Sequence, residues 1–74
     1  MSNMNTLVKP DDRFLRMTEV KVTTGLSRAH LYALISQGKF PKQVKLSEKA
    51  AGWLQSEVVS WMETRVSASR DLVT

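Results

Sequence analysis

The stretch Thr18-Glu-Val-Lys-Val-Thr-Thr-Gly-Leu-Ser-Arg-Ala-His-Leu-Tyr-Ala-Leu-Ile-Ser-Gln-Gly38 decides the fold. Thr18 followed by Glu19 reads as an amino-terminal helix cap with an acid in the first turn, where the helix dipole favours negative charge. A short helix from about Glu19 is expected to stop at Thr24, because Gly25 is free to take a left-handed cap. Ser27 then caps a second helix whose apolar residues Leu31, Leu34 and Ile35 fall at i, i+3 and i+4, a single buried stripe. Gly38 ends it. Two short helices joined by Gly25-Leu26 and a capping serine have helix-turn-helix spacing.

Working outward, Phe40-Pro41 sets an extended turn, and Gln43-Val-Lys-Leu-Ser47 alternates polar with apolar in the two-residue period of a half-buried strand. Glu48 to Ala51 is the expected hairpin loop and Gly52-Trp53-Leu54 the returning strand, so residues 42–54 read as a small β-wing with Lys45 and Lys49 on its outer face. Ser56 and Glu57 open a third helix in which Val58, Trp61, Met62 and Val66 keep helical spacing. Residues 67–74 lose that pattern and read as a frayed tail. On the other side, Arg13-Phe-Leu-Arg-Met17 reads as an extended segment that pins Phe14 or Leu15 into the core, and residues 1–12 read as a loose tail. The expectation is a mainly α fold with a small β-hairpin, its domain spanning residues 13–66.

The chain has 74 residues, enough for one small domain, in which folding removes only about 60% of the unfolded surface from water. There are no cysteines and one histidine, which excludes a disulfide framework, a thiolate zinc site and a multi-histidine metal cage. No metal or cofactor is expected. No apolar run approaches the roughly 18 residues of a membrane span, and the amino terminus lacks the regions of a signal peptide, so a cytoplasmic protein with no membrane contact is expected. The chain carries +4 overall. Residues 13–54 concentrate eight Lys or Arg against two Glu, while both ends are slightly acidic. That distribution suits a polyanion-facing surface.

Catalysis has little support, since no nucleophile, base and orienting acid occur together and no glycine-rich phosphate loop follows a strand. Double-stranded DNA as partner has a more connected argument. The first residues of a recognition helix face base edges in the major groove, and here they are Arg28, Ala29 and His30. Arg28 can donate two hydrogen bonds to guanine, His30 can donate or accept, and Ala29 can touch a thymine methyl. Taken singly, Arg28 is as readily a solvated first-turn charge and His30 a helix-surface filler; their joint placement tilts the balance. Tyr32 is a candidate phosphate contact or a partly buried wedge. Lys39, Lys42, Lys45 and Lys49 form a candidate phosphate track. Trp53 and Trp61 are expected in the core, with Phe14 and Phe40 stapling the arm and turn.

These residues also carry a family likeness. Arg13-Phe-Leu-Arg-Met-Thr-Glu-Val20, Thr24-Gly-Leu-Ser-Arg28, Leu31-Tyr32, Leu34-Ile35, Gly38-Lys-Phe-Pro-Lys42, Val44-Lys-Leu46, Gly52-Trp53 and Glu57-Val-Val-Ser-Trp61 together resemble the AlpA-like phage and prophage regulators, in unbroken order over about residues 13–66. The resemblance implies a winged helix-turn-helix related to the MerR-like and excisionase DNA-binding domains, with the second helix in the major groove and the wing beside the minor groove or backbone. It carries over Ser27, Arg28 and Tyr32 as contact positions, and by position suggests His30 and Ala33 as specificity positions. Its members activate an integrase or excision gene or act as excisionases that bend attachment-site DNA.

The likeness has departures. Ser47-Glu-Lys-Ala-Ala51 stands where a glycine and an arginine are frequent, Ala33 where a basic residue is frequent, and Thr23 where a core aliphatic is common. The leading expectation is a sequence-specific DNA-binding transcriptional regulator of a phage or prophage. It would act as a homodimer or cooperative multimer on DNA, with integrase or RNA polymerase as further contacts. The alternatives are an excisionase and, in a different class, a protein-interaction adaptor or inhibitor.

Overall fold

A computed structural model describes residues 9–73. Its order is β1 (Phe14–Leu15), α1 (Met17–Thr24), α2 (Arg28–Ser36), β2 (Val44–Ser47), β3 (Ala50–Leu54) and α3 (Gln55–Val73). The strands form one antiparallel sheet in the order β1-β3-β2. The extended segment foreseen at residues 13–17 is thus an edge strand, pairing Phe14 with Leu54 and Leu15 with Trp53. Strand alternation sends Leu15 inward, 2% exposed, and Phe14 outward, 42% exposed. Leu15 is therefore the staple, and the expectation that Phe14 shares that duty is corrected.

The first helix begins two residues earlier than the Thr18 signal suggests. Arg16, in an extended conformation, is the cap residue, and its backbone N–H donates to Glu19 Oε1 at 2.9 Å. Thr18 lies inside the helix, because the acid that reaches back from the third helical position selects Arg16 as its partner. At the other end Gly25 takes φ 77° and its N–H closes on the Lys21 carbonyl. Ser27 caps α2 as read, accepting from the His30 N–H at 3.1 Å. Gly38, at φ 73°, follows the last turn of α2, where the Gly38 and Lys39 N–H groups return to the Ile35 and Leu34 carbonyls.

The hairpin is tighter than expected. Glu48 and Lys49 alone make the turn, and Ala50 and Ala51, read as loop, pair in β3 with Ser47 and Lys45. The register shifts between Lys45 and Ser47, leaving Leu46 as the extra residue of a bulge and half-buried. Gly52, in the central strand, shows why that strand holds a glycine. A Cβ there would lie 2.8 Å from the Leu15 carbonyl oxygen and 3.2 Å from Leu46 Cδ1.

Leu15, Val20, Leu31, Phe40, Trp53 and Val58 form the buried core, with Met17, Leu26, Leu34, Ile35, Trp61 and Met62 packed around it. Every helix and two of the three strands contribute. The third helix starts at Gln55, directly from β3, and continues to Val73. Residues 67–73, read as a frayed tail, are helical; burial on α3 already ends at Met62, and the run contains no glycine or proline to break the helix. Asp12, placed in the loose tail, instead accepts the Ser56 N–H at 3.1 Å and the Ser56 hydroxyl at 2.6 Å, fastening the segment before β1 to the first turn of α3. The remainder of that tail, residues 1–8, lies outside the described residues.

Gly52→Ala drives a methyl into the backbone of β1, so it is expected to destabilise the fold by about 1–3 kcal/mol, the usual cost of overpacking. Chemical denaturation of the two proteins checks this.

Candidate nucleic-acid interface

The exposed face of α2 is built by elimination. Leu31 is fully buried and Leu34 and Ile35 half-buried, so the helical period of about 100° per residue turns Arg28, Ala29, His30, Tyr32 and Ala33 away from the core. All five are exposed. Ala29 and Ala33 occupy the middle of that face, Arg28 and Tyr32 lie one turn apart along one edge, and His30 lies on the other. Ser27 sits at its head with the oxygen committed to the cap. The Arg28, His30 and Tyr32 side chains have no hydrogen-bond or ion-pair partner among the described residues.

Of the cations of residues 13–54, Lys21 is half-buried on α1, Arg28 heads α2, and the others divide in two. Arg13 pairs with Glu19 at 3.2 Å, and the Arg16 Nε donates to the Ala51 carbonyl at 3.0 Å, so both serve the junction of β1, α1 and β3. Lys39, Lys42, Lys45 and Lys49 are exposed. Lys45 and Lys49 come together along a shallow groove of about 360 Å³ on the hairpin, which Gln43 and Glu48 also line. Lys45 leans over the turn, its ammonium donating to the Glu48 carbonyl at 3.2 Å. Lys39 and Lys42 flank Phe40-Pro41, beside the end of α2 rather than on the hairpin groove.

The loop that sets α2 against the sheet is held by both tryptophans. Trp53, 2% exposed, donates its indole N–H to the Pro41 carbonyl at 2.9 Å. Half-buried Trp61 donates to the Lys39 carbonyl at 2.6 Å and meets Phe40 edge-on, the ring centroids 4.9 Å apart. Both act as anchors within the fold.

Sequence reading missed Arg16 and Asp12 as positioning residues. Their partners lie 35 and 44 residues away along the chain, so no local spacing announces them. The Ser56 hydroxyl holds the Asp12 carboxyl below the usual carboxylate range, helped by the backbone N–H groups of Ser56 and Arg13. Glu19 is held low first by the Arg16 backbone N–H and then by Arg13. Among the described residues no group of three or more His, Asp or Glu is arranged to hold a metal ion, and no helix is long and apolar enough to cross a membrane.

Three helices on a small antiparallel sheet, with two short helices joined through a capped turn, are consistent with a small DNA-binding fold. The family described as prophage CP4-57 regulatory protein (AlpA) matches residues 13–66, and the chain belongs to that family. It is 48% identical to the uncharacterized protein ORF88 of Enterobacteria phage P4 over 59 residues, which cover 80% of this chain and 67% of that protein. It is 32% identical to the DNA-binding transcriptional activator AlpA of Escherichia coli (strain K12) over 59 residues, covering 72% of this chain and 84% of that one. No solved structure matches at a significant level.

Because Asp12 and Glu19 have lowered pKa values in the fold, their stabilisation is complete above the ordinary carboxylate pKa and is lost as pH falls through the folded values. Stability is therefore expected to drop on acidification below roughly pH 4, and Asp12→Asn is expected to show a shallower drop. Thermal unfolding across an acid pH series reads both.

Proposed function

We propose that this chain is a sequence-specific double-stranded DNA-binding transcriptional regulator of a phage or prophage, acting as a winged helix-turn-helix. The observation that carries the reading is α2: Ser27 caps it, Leu31 anchors it, and its first turns present Arg28, Ala29, His30, Tyr32 and Ala33 to solvent with the Arg28 guanidinium unpaired. Membership of the AlpA family and the likeness to a protein named as a DNA-binding transcriptional activator support it.

In this reading α2, about 14 Å long at 1.5 Å per residue, enters the major groove, which is about 12 Å wide. Arg28 donates to a guanine edge, and His30, Ala29 and Ala33 set the neighbouring positions. The Tyr32 hydroxyl and the Lys39 and Lys42 ammonium groups meet phosphates. The β2–β3 hairpin is the wing, with Lys45 and Lys49 along the backbone. Arg13 and Arg16 are left out of this track because their guanidinium groups are already engaged within the fold.

A single module of this size buries only about 600–1,000 Å² of its surface on DNA, so useful specificity calls for repeated sites or paired protomers. Control of integrase or excision genes, in the cytoplasm and with integrase or RNA polymerase as a contact, is the biological form this reading takes. It involves no catalytic step and no cofactor.

Selection of bound duplexes from a random pool, followed by binding to the winner across a salt series, tests the reading. An enriched motif is expected, and four lysine–phosphate contacts predict a log–log salt slope near about −3.6. A motif lying inside an attachment site and bent on binding would favour an excisionase. No motif with little salt dependence would favour a protein-interaction adaptor.

Arg28→Ala is expected to cost about 1–3 kcal/mol on the selected site and much less on random DNA, whereas Lys42→Ala weakens both about equally. Competition binding with the two duplexes measures the difference. Equal losses for Arg28→Ala on both would remove it as a base reader.

A further inference from the structure

The hairpin that carries Lys45 and Lys49 outruns the sheet that supports it. β1 covers β3 only at Trp53 and Leu54, so residues 45–51 extend past the last pair with no third strand beside them. The side chains of Ser47, Glu48 and Lys49 make no hydrogen bond or ion pair among the described residues. A two-stranded hairpin is marginal by itself in water, and one left free at its tip presents its lysines over a range of directions.

Arg16 reaches this segment from α1. It follows the last paired residue of β1, caps the helix, and is exposed. Its backbone N–H is fixed by Glu19 Oε1 at 2.9 Å, and Glu19 Oε2 in turn holds Arg13 at 3.2 Å. From that anchored backbone its Nε donates to the Ala51 carbonyl at 3.0 Å. Ala51 lies opposite Lys45 in the hairpin, and the Lys45 ammonium donates to the Glu48 carbonyl at 3.2 Å, in the turn that bears Lys49. A continuous run of contacts thus leads from the start of α1 to both lysines. Since α2 follows α1 after Gly25-Leu26-Ser27, a bond from Arg16 to the hairpin sets the direction of the lysines against the exposed face of α2.

We propose that Arg16 is a positioning residue for the hairpin: its Nε bond to Ala51 holds Lys45 and Lys49 where they meet the same duplex as α2. The assignment rests on the DNA-binding reading above and gives Arg16 no contact with DNA. A hairpin that must find its place before binding lowers the apparent affinity by the fraction of molecules that are competent, and one exposed hydrogen bond is worth about two- to tenfold in that fraction.

Two substitutions separate the Nε donor from the charge. Glutamine carries its amide nitrogen on Cδ, as many bonds from the backbone as Nε, and so keeps a donor for Ala51 without the charge. Methionine has a stem of similar length with neither. Without DNA, amide hydrogen exchange of the full chain reads the tether: Arg16→Met is expected to speed exchange in residues 45–51 with α1 and α2 protected as in the wild type, and Arg16→Gln is expected to leave both unchanged. With DNA, binding to the selected site and to random duplex across a salt series reads the consequence. Arg16→Met is expected to weaken both complexes about two- to tenfold at an unchanged log–log salt slope, because the bound state keeps every phosphate contact, and Arg16→Gln to bind within about twofold of the wild type. In a chain already carrying Lys45→Ala and Lys49→Ala, Arg16→Met is expected to have no further effect, whereas a generally weakened fold would lose affinity there too.

Equal losses for the two variants with a slope shallower by about 0.9 would make Arg16 a phosphate contact and overturn the proposal. So would an Arg16→Met chain that exchanges or binds as the wild type does, exchange that rises in α1 and α2 as well, or a loss that persists without the two lysines. A wild-type chain that binds no duplex would remove the DNA-binding reading itself, and this proposal with it.

Discussion

Two indole N–H groups donating to backbone carbonyls two residues apart hold the rest of this protein in place. Trp53, from the central strand, binds Pro41, and Trp61, from α3, binds Lys39. Phe40, 4% exposed, is held between those carbonyls and fills the space beneath them. The loop that follows α2 is thereby tied to the sheet and to the third helix at once. A chain this small has one core and little surplus stability, so the direction of α2 depends on that loop. A buried indole left without its acceptor would also carry the cost of an unsatisfied donor. The two tryptophans serve α2 indirectly, by fixing where its exposed face points.

How much of this is legible in the sequence follows from how far each interaction reaches. Ser27, Gly25 and Gly38 act on backbone groups within a few residues, and their effects on α1 and α2 can be read directly. Leu31, Leu34 and Ile35 likewise announce their side of the helix by spacing alone. The start of α1 is also local, but two signals compete. Thr18 has the cap chemistry, whereas Glu19 reaches back to the Arg16 N–H, and that bond wins. Arg16 to Ala51 and Asp12 to Ser56 are different in kind: each joins segments whose proximity exists only after the sheet has formed. Gly52 belongs with them, since its need for a missing side chain arises from the approach of β1. The candidate interface on α2 was legible because capping and periodicity define it, while the sorting of the basic residues was not.

That sorting changes what the net charge means. Eight cations lie between residues 13 and 54, and as a count they describe a basic segment. In the fold, Arg13 and Arg16 neutralise or satisfy groups at the β1–α1 junction, and Lys45 is partly engaged with its own turn. Lys21 is half-buried on α1, Arg28, Lys39 and Lys42 remain on the surface of α2 and the loop after it, and Lys49 on the hairpin turn. Arginine engaged by a carboxylate or a carbonyl has less to offer a phosphate than a solvated lysine, whatever the total. The electrostatic case for a polyanion therefore rests on a subset of side chains that the fold leaves unpaired.

The outer half of α3 completes the contrast. Between Glu63 and Asp71 it carries two acids and two bases, balanced where the middle of the chain is strongly basic. A net positive surface attracts a polyanion; a balanced one does not. Separating the two on different elements concentrates the unpaired cations on α2, the loop after it and the hairpin, and leaves the outer half of α3 close to neutral. In a chain of this length such separation is possible because α3 outlasts the core it packs against, extending beyond Val58, Trp61 and Met62.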